Sequence, residues 1–431
     1  MRKNLTVLML VAMTPVTLVA AGVSAAVIGH MTPAEPITAA RIATLPPAER
    51  PGWQAYLARS ERLMAADRAV LAAERAGKAV PPPPPSGPSG GGGMPLDRAA
   101  DWYASAEARH VADNIVSFQT PAGGWGKNVD RTGPVRQPGQ LWVPVENLPA
   151  NARTDLEPGW SYVGTLDNNA TTTEIRFLAR VGAALPGQPG EPYRAAMLKG
   201  VRYLLSAQFP NGGWPQIYPL RGGYHDALTF NDDALTLVVT TLSAVGARTG
   251  DYAFVPEAVA AEARVACARA IEVILRTQVV IDGTPTVWDQ QHDALTLAPV
   301  GARNFEPAAL SSDESAALLM FLMKQPSPSP RMVAAIEGGI AWLRAHAISG
   351  HVWQRGNGPE GRRLVASPGA PPIWSRFYDI RTGRPIFGDR DRTIHDDVAD
   401  LSAERRGGYS WYNSGPAKAL TAYDKWRAKR G

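Results

Sequence analysis

Residues 207–235 read AQFPNGGWPQIYPLRGGYHDALTFNDDAL, and this stretch decides the fold. An apolar helix must end as the chain reaches Pro210 and the Gly212–Gly213 pair, because proline and glycine interrupt helices. A second helix is predicted just after Asn231 and Asp232, where apolar residues recur at helical spacing. The apolar positions of that second helix are Leu235, Val238, Val239 and Leu242. The stretch therefore predicts two helices joined by a polar, aromatic loop.

The same order of helix end, Gly/Trp loop and helix start occurs twice more. An earlier copy contains Gly123-Gly124-Trp125, and a later copy leads from Gln278 to Trp288. The second helix of each copy is preceded by capping-box spacing, at Thr171 with Glu174 and at Ser311 with Glu314. This recurrence predicts stacked helical hairpins whose loops gather on one rim. The alternative is a chance recurrence of turn chemistry.

The composition is that of a globular protein with one large domain and appendages. The chain has 431 residues, of which 45% are hydrophobic and 19% charged. The net charge of +5 is spread along the chain, so we expect no nucleic-acid partner. A single cysteine, Cys267, excludes an intramolecular disulfide framework and a cysteine-rich zinc site.

The N-terminus has the pattern of a targeting segment. Arg2 and Lys3 precede an apolar run from Leu5 to Ala21, and Val23-Ser24-Ala25 offers a small-residue cleavage site. We therefore expect a signal peptide over 1–25 and a secreted or periplasmic protein, with no membrane contact after its removal. An uncleaved membrane anchor is the alternative. We expect the mature protein to be a monomer.

Composition divides the rest of the chain into three parts. An Ala-rich helical region of unknown role covers 26–78, and a Pro/Gly linker covers 79–94. The linker is stiff at Pro81–Pro85 and flexible at Gly90–Gly93. The main domain is predicted over 95–431, and a chain that starts near Met94 is expected to fold alone.

Helices dominate the predicted main domain. Their expected ranges are 97–117, 171–181, 193–207, 232–246, 256–277, 311–324 and 330–347. Short strands are expected at Thr286–Trp288 and Gly350–Gln354. The long irregular section from Trp374 to Tyr412 is typical of a functional segment.

Two kinds of side chain could carry chemistry at the loops. Oxygen donors suited to calcium are Asp167, Asn168, Asp226, Asp232 and Asp233. Aspartate and asparagine at helix starts also cap backbone N–H groups, and this is the alternative for each. Guanidinium groups able to bind carboxylates are those of Arg303, Arg376, Arg390, Arg405 and Arg406. Solvated surface charges are the alternative for these arginines.

An ordered series of motifs resembles the family 10 pectate lyases. The motifs are 123–128 (GGWGKN), 165–175 (TLDNNATTTEI), 208–216 (QFPNGGWPQ), 230–232 (FND), 302–306 (ARNFE) with Ser311 and Glu314, 374–378 (WSRFY), 384–387 (RPIF), 390–391 (RD) and 404–412 (ERRGGYSWY). The resemblance covers roughly Ala99 to the C-terminus. It does not cover the first 95 residues.

This resemblance implies a fold, an activity and a set of site residues. The fold is mainly α, an open (α/α)3 toroid with short strands and irregular loops forming the substrate cleft. The activity is calcium-dependent β-elimination of polygalacturonate. The implied site residues are Arg303 as catalytic base, Asp167, Asn168 and Asp232 as metal ligands, and Arg376 and Arg390 as substrate-binding residues. The sequence departs from the family at Asn304-Phe305, beside the implied base.

An arginine base requires an explanation, because a guanidinium group normally stays protonated. Burial and neighbouring cations, such as calcium with Arg376 or Arg390, would have to lower its pKa. Two other functions stay open. One is a glycoside hydrolase that uses Asp232 and Glu306 as acid and base. The other is a non-catalytic pectin-binding protein.

Overall fold

The computed structural model describes residues 26–88, 93–144, 163–356, 358 and 360–430. The expected signal peptide lies outside these residues. The helices are α1 (Ala39–Ala43), α2 (Arg50–Arg75), α3 (Ala106–Ser117), α4 (Thr172–Ala184), α5 (Glu191–Ala207), α6 (Ala234–Ala247), α7 (Glu257–Thr277), α8 (Ser312–Met323), α9 (Pro330–Ala345), α10 (Ala403–Gly408) and α11 (Gly415–Ala428). The helices predicted in the main domain are confirmed to within a few residues, except that the first, expected from 97, starts at Ala106 after a 3-10 turn at Ala100–Ala104. Among the described residues, no helix combines the length and apolarity needed to span a bilayer.

The helices form two concentric rows. Helices α4, α6 and α8 contact one another in the inner row, and α3, α5, α7 and α9 follow one another behind them. The inner helices carry many buried apolar side chains. Examples are Ile175 of α4, Val238 of α6 and Leu319 of α8. Helix α11 packs against α8 and α9 at the end of the arc. This arrangement is the predicted open helical toroid.

Tryptophan and glutamine side chains fix the turn of each hairpin in the same way. The indole N–H of Trp125, Trp214 and Trp288 donates to a carbonyl of the preceding helix, at 2.7, 2.8 and 2.7 Å. The amides of Gln119, Gln208 and Gln278 donate to Ala196, Ala266 and Ala335 of the next outer helix. Each turn is thus bound both to its own hairpin and to the following one. The predicted repeat is confirmed, and a chance recurrence is excluded.

Short antiparallel strands line the rim. They are β1 (Gly29–His30), β2 (Leu228–Thr229), β3 (Val280–Ile281), β4 (Thr284–Pro285), β5 (Gln291–His292), β6 (Leu310–Ser311), β7 (His351–Arg355), β8 (Arg362–Ala366), β9 (Trp374–Ser375), β10 (Phe377–Tyr378), β11 (Phe387–Gly388), β12 (Thr393–His395) and β13 (Tyr412–Asn413). The pairs are β2–β5, β3–β4, β6–β10, β7–β8, β9–β13 and the three-stranded β1–β12–β11. The strand expected at 350–354 is confirmed as β7. The one expected at Thr286–Trp288 is wrong, because these residues leave β4 and join the buried turn.

The two predicted capping boxes are wrong. The Thr171 hydroxyl accepts from the backbone N–H of Trp125 at 3.1 Å and donates to the Thr165 carbonyl at 2.9 Å. The Ser311 hydroxyl donates to the Glu314 carboxylate. Neither side chain caps its helix. Thr171 thus binds the start of α4 to the preceding turn, and Ser311 bonds to a side chain of its own helix; local spacing does not distinguish either use from capping.

Residues 26–88, here called the N-terminal segment, lie against all three hairpin turns. Its strand β1 pairs with β12, and the Ile37 N–H donates to Asp226 at 3.3 Å. Along α2, the Tyr56 hydroxyl donates to the Ala207 carbonyl at 3.0 Å, and Asp67 accepts from the Ala122 N–H at 2.8 Å. The proline-rich end then pairs with the first turn, at Ser86 with Val129.

The N-terminal segment shares the main hydrophobic core. Trp53 and Tyr56 are 2% and 1% exposed and pack on Phe209 at ring-centroid distances of 5.3 and 5.2 Å. The predicted domain boundaries rest on composition and stay a prediction. The linker composition also predicts that residues from Met94 onward fold alone, and these contacts argue against that expectation.

Candidate active site

Two carboxyl groups meet at the starts of α4 and α6. Asp167 and Asp232 lie in single helical turns, Asp167–Asn169 and Asn231–Asp233, that precede these helices. Both turns contain left-handed residues, with φ of 52° at Asn168 and 51° at Asp232, which aspartate and asparagine tolerate better than most residues. The two carboxyl groups lie within hydrogen-bonding reach of each other. The Asp167 carboxylate contacts the Lys127 ammonium and the Gln216 amide, and the Asp232 carboxylate accepts from the Asn231 amide, which are side-chain partners and not those of a helix cap.

The two carboxyl groups have different pKa values because their surroundings differ. Burial, the Asp167 charge and the hydrogen bond to Asp167 raise the pKa of Asp232 to about 7. Burial alone would raise the pKa of Asp167 too, but the Lys127 ammonium at 2.8 Å outweighs it, and the pKa lies below its usual value. The Gln216 amide also donates to Asp167, at 3.2 Å. Two neighbouring carboxyl groups, of which that of Asp232 is open to solvent, are suited to a bound cation.

The residues fit a metal ion only in part. Within the described ranges, no group of three or more Asp, Glu, His or Cys side chains could hold one. Asp167 and Asp232 supply two oxygen ligands, and calcium requires six to eight. Asn168, the third predicted ligand, turns its amide to Asn128 at 3.3 Å and not to the carboxyl pair. The structure therefore fits a cation whose shell is completed by oxygen atoms from a ligand or water.

Arg303, the predicted base, is engaged by Glu306. Its Nε donates to Glu306 Oε2 at 2.8 Å, its Nη2 contacts Oε1, and its backbone N–H donates to Oε2 at 3.0 Å. The Tyr409 hydroxyl donates to the same carboxylate at 2.6 Å. Burial would lower the pKa of Arg303, but the Glu306 charge outweighs it and holds that pKa well above its ordinary value. The ion pair that sequence spacing offers for these two residues is present, and in this state Arg303 carries its proton.

Arg376 connects the third hairpin to the carboxyl pair. Its guanidinium group pairs with Glu314 and donates to the Asn231 side-chain oxygen at 3.2 Å. The Asn231 amide donates to Asp232 at 3.0 Å. A continuous chain of polar contacts therefore runs from Glu314 to Asp232. The Arg376 side chain is 12% exposed, and its Nε is buried without a hydrogen-bond partner.

Arg390 lies near Arg303 and is paired with Glu404. It makes two hydrogen bonds to Glu404, at 2.9 and 3.0 Å, and its guanidinium group lies 5.5 Å from the Phe305 ring centroid. The same ring lies 4.1 Å from the guanidinium group of Arg405. Phe305, where the sequence departs from the family motif, thus supports several cations at once.

The structure brings the predicted residues together, with one exception. The charge of Arg303 acts on Asp167, that of Arg376 acts on Asp232, and Arg390 and Arg303 act on each other. Asn168 is the exception, since its side chain turns to Asn128. Sequence reasoning assigned no role to Lys127, Gln216, Asn231 or Tyr409, although all four lie inside the quoted motifs. Their positions inside those motifs were the signal that could have identified them as site residues.

Comparisons with known proteins agree with this architecture. The family model for pectic acid lyase matches residues 119–420. A family 10 polysaccharide lyase from Cellvibrio cellulosa is 30% identical, with a TM-score of 0.64, and the match covers 77% of this chain and 96% of that one. An aspartate-to-alanine mutant of the lyase, solved in complex with trigalacturonic acid, matches with the same identity and TM-score over 77% and 97% of the two chains. Among proteins with curated descriptions, none matches this sequence.

The fold and the site define a helical toroid whose rim combines a carboxyl pair with several arginines. The matches cover most of the toroid and place it in one group of polysaccharide lyases. The chain belongs to the pectic acid lyase family and is a pectate lyase.

Proposed function

We propose that this protein is an exported, monomeric lyase that cleaves de-esterified polygalacturonate by calcium-dependent β-elimination and releases unsaturated oligogalacturonates. The observation that carries the proposal is the pair of carboxyl groups of Asp167, which is buried, and Asp232, which is exposed, held beside Arg303 and Arg376. A cation-binding carboxyl pair next to guanidinium groups suits a polymer that carries one carboxylate on every sugar. The trigalacturonic acid bound by the Cellvibrio enzyme supports this substrate class. The export proposal rests on the N-terminal pattern of residues 1–25.

The acidic residues have a clear task in this reaction. The C5 proton of a uronate is very weakly acidic, and its loss places negative charge next to the C6 carboxylate. A calcium ion held by Asp167 and Asp232 would neutralise that carboxylate and so stabilise the developing charge. Lys127 keeps Asp167 ionised for this purpose. Arg376 and Arg390 would bind further carboxylates of the polymer, if substrate replaces Glu314 and Glu404 as their partner.

Arg303 is the proposed base. It accepts the proton from C5 as the C4–O4 bond breaks, the electron pair forms the C4=C5 double bond, and the leaving O4 takes a proton from water. Only the neutral guanidine can act in this way, and Glu306 opposes its formation in the resting site. Arg390 and Arg405 act in the opposite direction, because their positive charges disfavour a third cation. We therefore expect the rate to rise with pH into the alkaline range.

The proposal is tested on polygalacturonate by following the ultraviolet absorbance of the unsaturated product. Wild type should form it with calcium and lose activity in excess chelator. Asp232→Asn should lose most activity and retain its circular dichroism spectrum. Asp282→Asn is the matched control, because Asp282 is an exposed turn residue with a similar left-handed φ of 49°.

Other outcomes would identify the two alternatives. Chain shortening without ultraviolet absorbance would indicate hydrolysis. Polygalacturonate binding without any product would indicate a non-catalytic binding protein. Full activity in chelator would refute the calcium role.

A further inference from the structure

Tyr409 lies at the centre of the cationic half of the site. Its ring centroid is 5.6 Å from the guanidinium carbon of Arg303 and 5.0 Å from that of Arg376. Phe305 and Trp411 hold the ring from two other sides, at centroid distances of 5.2 and 4.7 Å. The guanidinium carbon of Arg405 lies 5.8 Å from the same centroid, so three like charges share one aromatic ring, whose negative face favours them.

The hydroxyl of Tyr409 shares a carboxylate oxygen with Arg303. Glu306 Oε1 accepts from Tyr409 at 2.6 Å and also pairs with Arg303 Nη2. Glu306 is 2% exposed, so these protein groups satisfy it in place of water. Burial raises the pKa of Tyr409 well above its ordinary value, and the hydroxyl therefore keeps its proton and donates. A strong donor to a carboxylate withdraws part of its negative charge from its other partners.

We propose that Tyr409 is a positioning residue of the lyase reaction, which holds Arg303 and Arg376 at their working positions and shares Glu306 with Arg303. This inference rests on the proposed function. Neither contact requires Tyr409 to touch the substrate. The ring and the hydroxyl have separate tasks, and separate substitutions test them.

Tyr409→Phe tests the hydroxyl, because it keeps the ring. Glu306 then loses a donor and acts more strongly on Arg303. The groups that face Arg303 and set its charge are Glu306, Tyr409, Tyr224, Asp167, His225, Arg390 and Arg405. Of these contacts, the substitution removes only the Tyr409 hydroxyl. We expect kcat to fall about ten-fold, the effect of one hydrogen bond to a charged group, with KM unchanged. The rise of kcat with pH should move to higher pH, since a stronger Glu306 keeps Arg303 protonated.

Tyr409→Leu removes the ring together with the hydroxyl, so its difference from Tyr409→Phe tests the aromatic surface that the arginines share. Binding of trigalacturonic acid is measured by calorimetry in an Arg303→Ala background, so the result does not depend on turnover. The double variant Arg303→Ala/Tyr409→Leu should bind several-fold more weakly than Arg303→Ala/Tyr409→Phe, which keeps the ring, because Arg376 loses its support.

Tyr423 supplies the matched control for both substitutions. Its ring lies 5.3 Å from the guanidinium carbon of Arg344, and the two residues are on α11 and α9. Tyr423→Phe and Tyr423→Leu should leave kcat, its pH profile and trigalacturonic acid binding unchanged.

The outcomes separate this inference from the proposed function. Unchanged kcat and pH profile in Tyr409→Phe, together with unchanged binding in the double variant, would overturn the positioning role while leaving the lyase activity established. Absence of unsaturated product from wild type would refute the proposed function, and the binding measurement would still decide the role of the ring. A lower melting temperature without any change in kcat, pH profile or binding would show that Tyr409 is structural only.

Discussion

The hairpin turns and the helix starts lie on the same rim, but they differ in how far their residue types recur from one hairpin to the next. In the turns, the residue types are repeated, with Gln119, Gln208 and Gln278 each bonded to the next outer helix. At the helix starts, the residue types repeat only in part, because Glu174 and Glu314 both pair with an arginine whereas the residues just before α4, α6 and α8 differ. Asp167 and Asp232 face each other in the first two hairpins, whereas Glu314 in the third is paired with Arg376.

This difference separates stability from chemistry within single loops. A turn must do the same mechanical task three times, so the same side chains recur. The helix starts converge on one site, where three identical charges would repel one another and only different charges can cooperate. Substitutions in the turns should therefore change stability, and substitutions at the site should change rate.

The largest effect should follow from Arg303→Ala. The variant loses the proposed base, so kcat should fall by several orders of magnitude with little change in KM. Arg303→Lys should also be severely impaired, because an ammonium group cannot make the two-point contact with Glu306. The control is Arg331→Ala, which removes an exposed arginine paired with Glu272 at 2.7 Å. Near-normal kcat with a raised KM would instead make Arg303 a substrate clamp.

Removal of the N-terminal segment should act through the turns and hence through stability. Residues 94–431 alone lose the partners of Phe209 and of the Ala207 and Ala122 backbone groups, so we expect them to be insoluble or unfolded at 25 °C. Addition of residues 26–92 as a separate peptide should restore folding and activity, measured by circular dichroism and product absorbance. A soluble 94–431 chain with wild-type melting temperature would show that the segment is only an attachment.

The smallest effect should come from a single turn. Gln278→Leu leaves the carbonyls of Thr286 and Ala335 without their donor and should reduce the free energy of unfolding by about 1–3 kcal/mol. The kcat of the folded fraction should stay unchanged. Gln325→Leu is the control, because Gln325 donates only to Phe321 at the end of its own helix. Denaturant titration compares the two variants, and an equal loss in both would mean that the turn contributes nothing special.

The sequence predicts the turns better than the helix starts. Proline and glycine after an apolar helix, followed by tryptophan, identify each hairpin because these are local chain preferences. The partners of Thr171 lie in the preceding turn, out of reach of local spacing. The spacing paired Ser311 with Glu314 correctly, but the two side chains bond to each other and not to backbone N–H groups. Asn168 follows Asp167 directly and yet faces Asn128, because the left-handed turn directs adjacent side chains apart. The docking of α2 depends on residues 55 to 151 positions away, as for Asp67 with Ala122 and Tyr56 with Ala207, and composition cannot reveal such contacts.

The pairing of β1 with β12 sets an order of events during synthesis. The Ala26 N–H donates to Asp400, a residue 374 positions later in the chain. At about 5–20 residues per second, residue 400 leaves the ribosome roughly 20–75 s after residue 26. Throughout that interval β1 has no strand to join, and contacts of such long separation form slowly even when both partners are present. The first described residues of the chain are therefore among the last that can reach their final place.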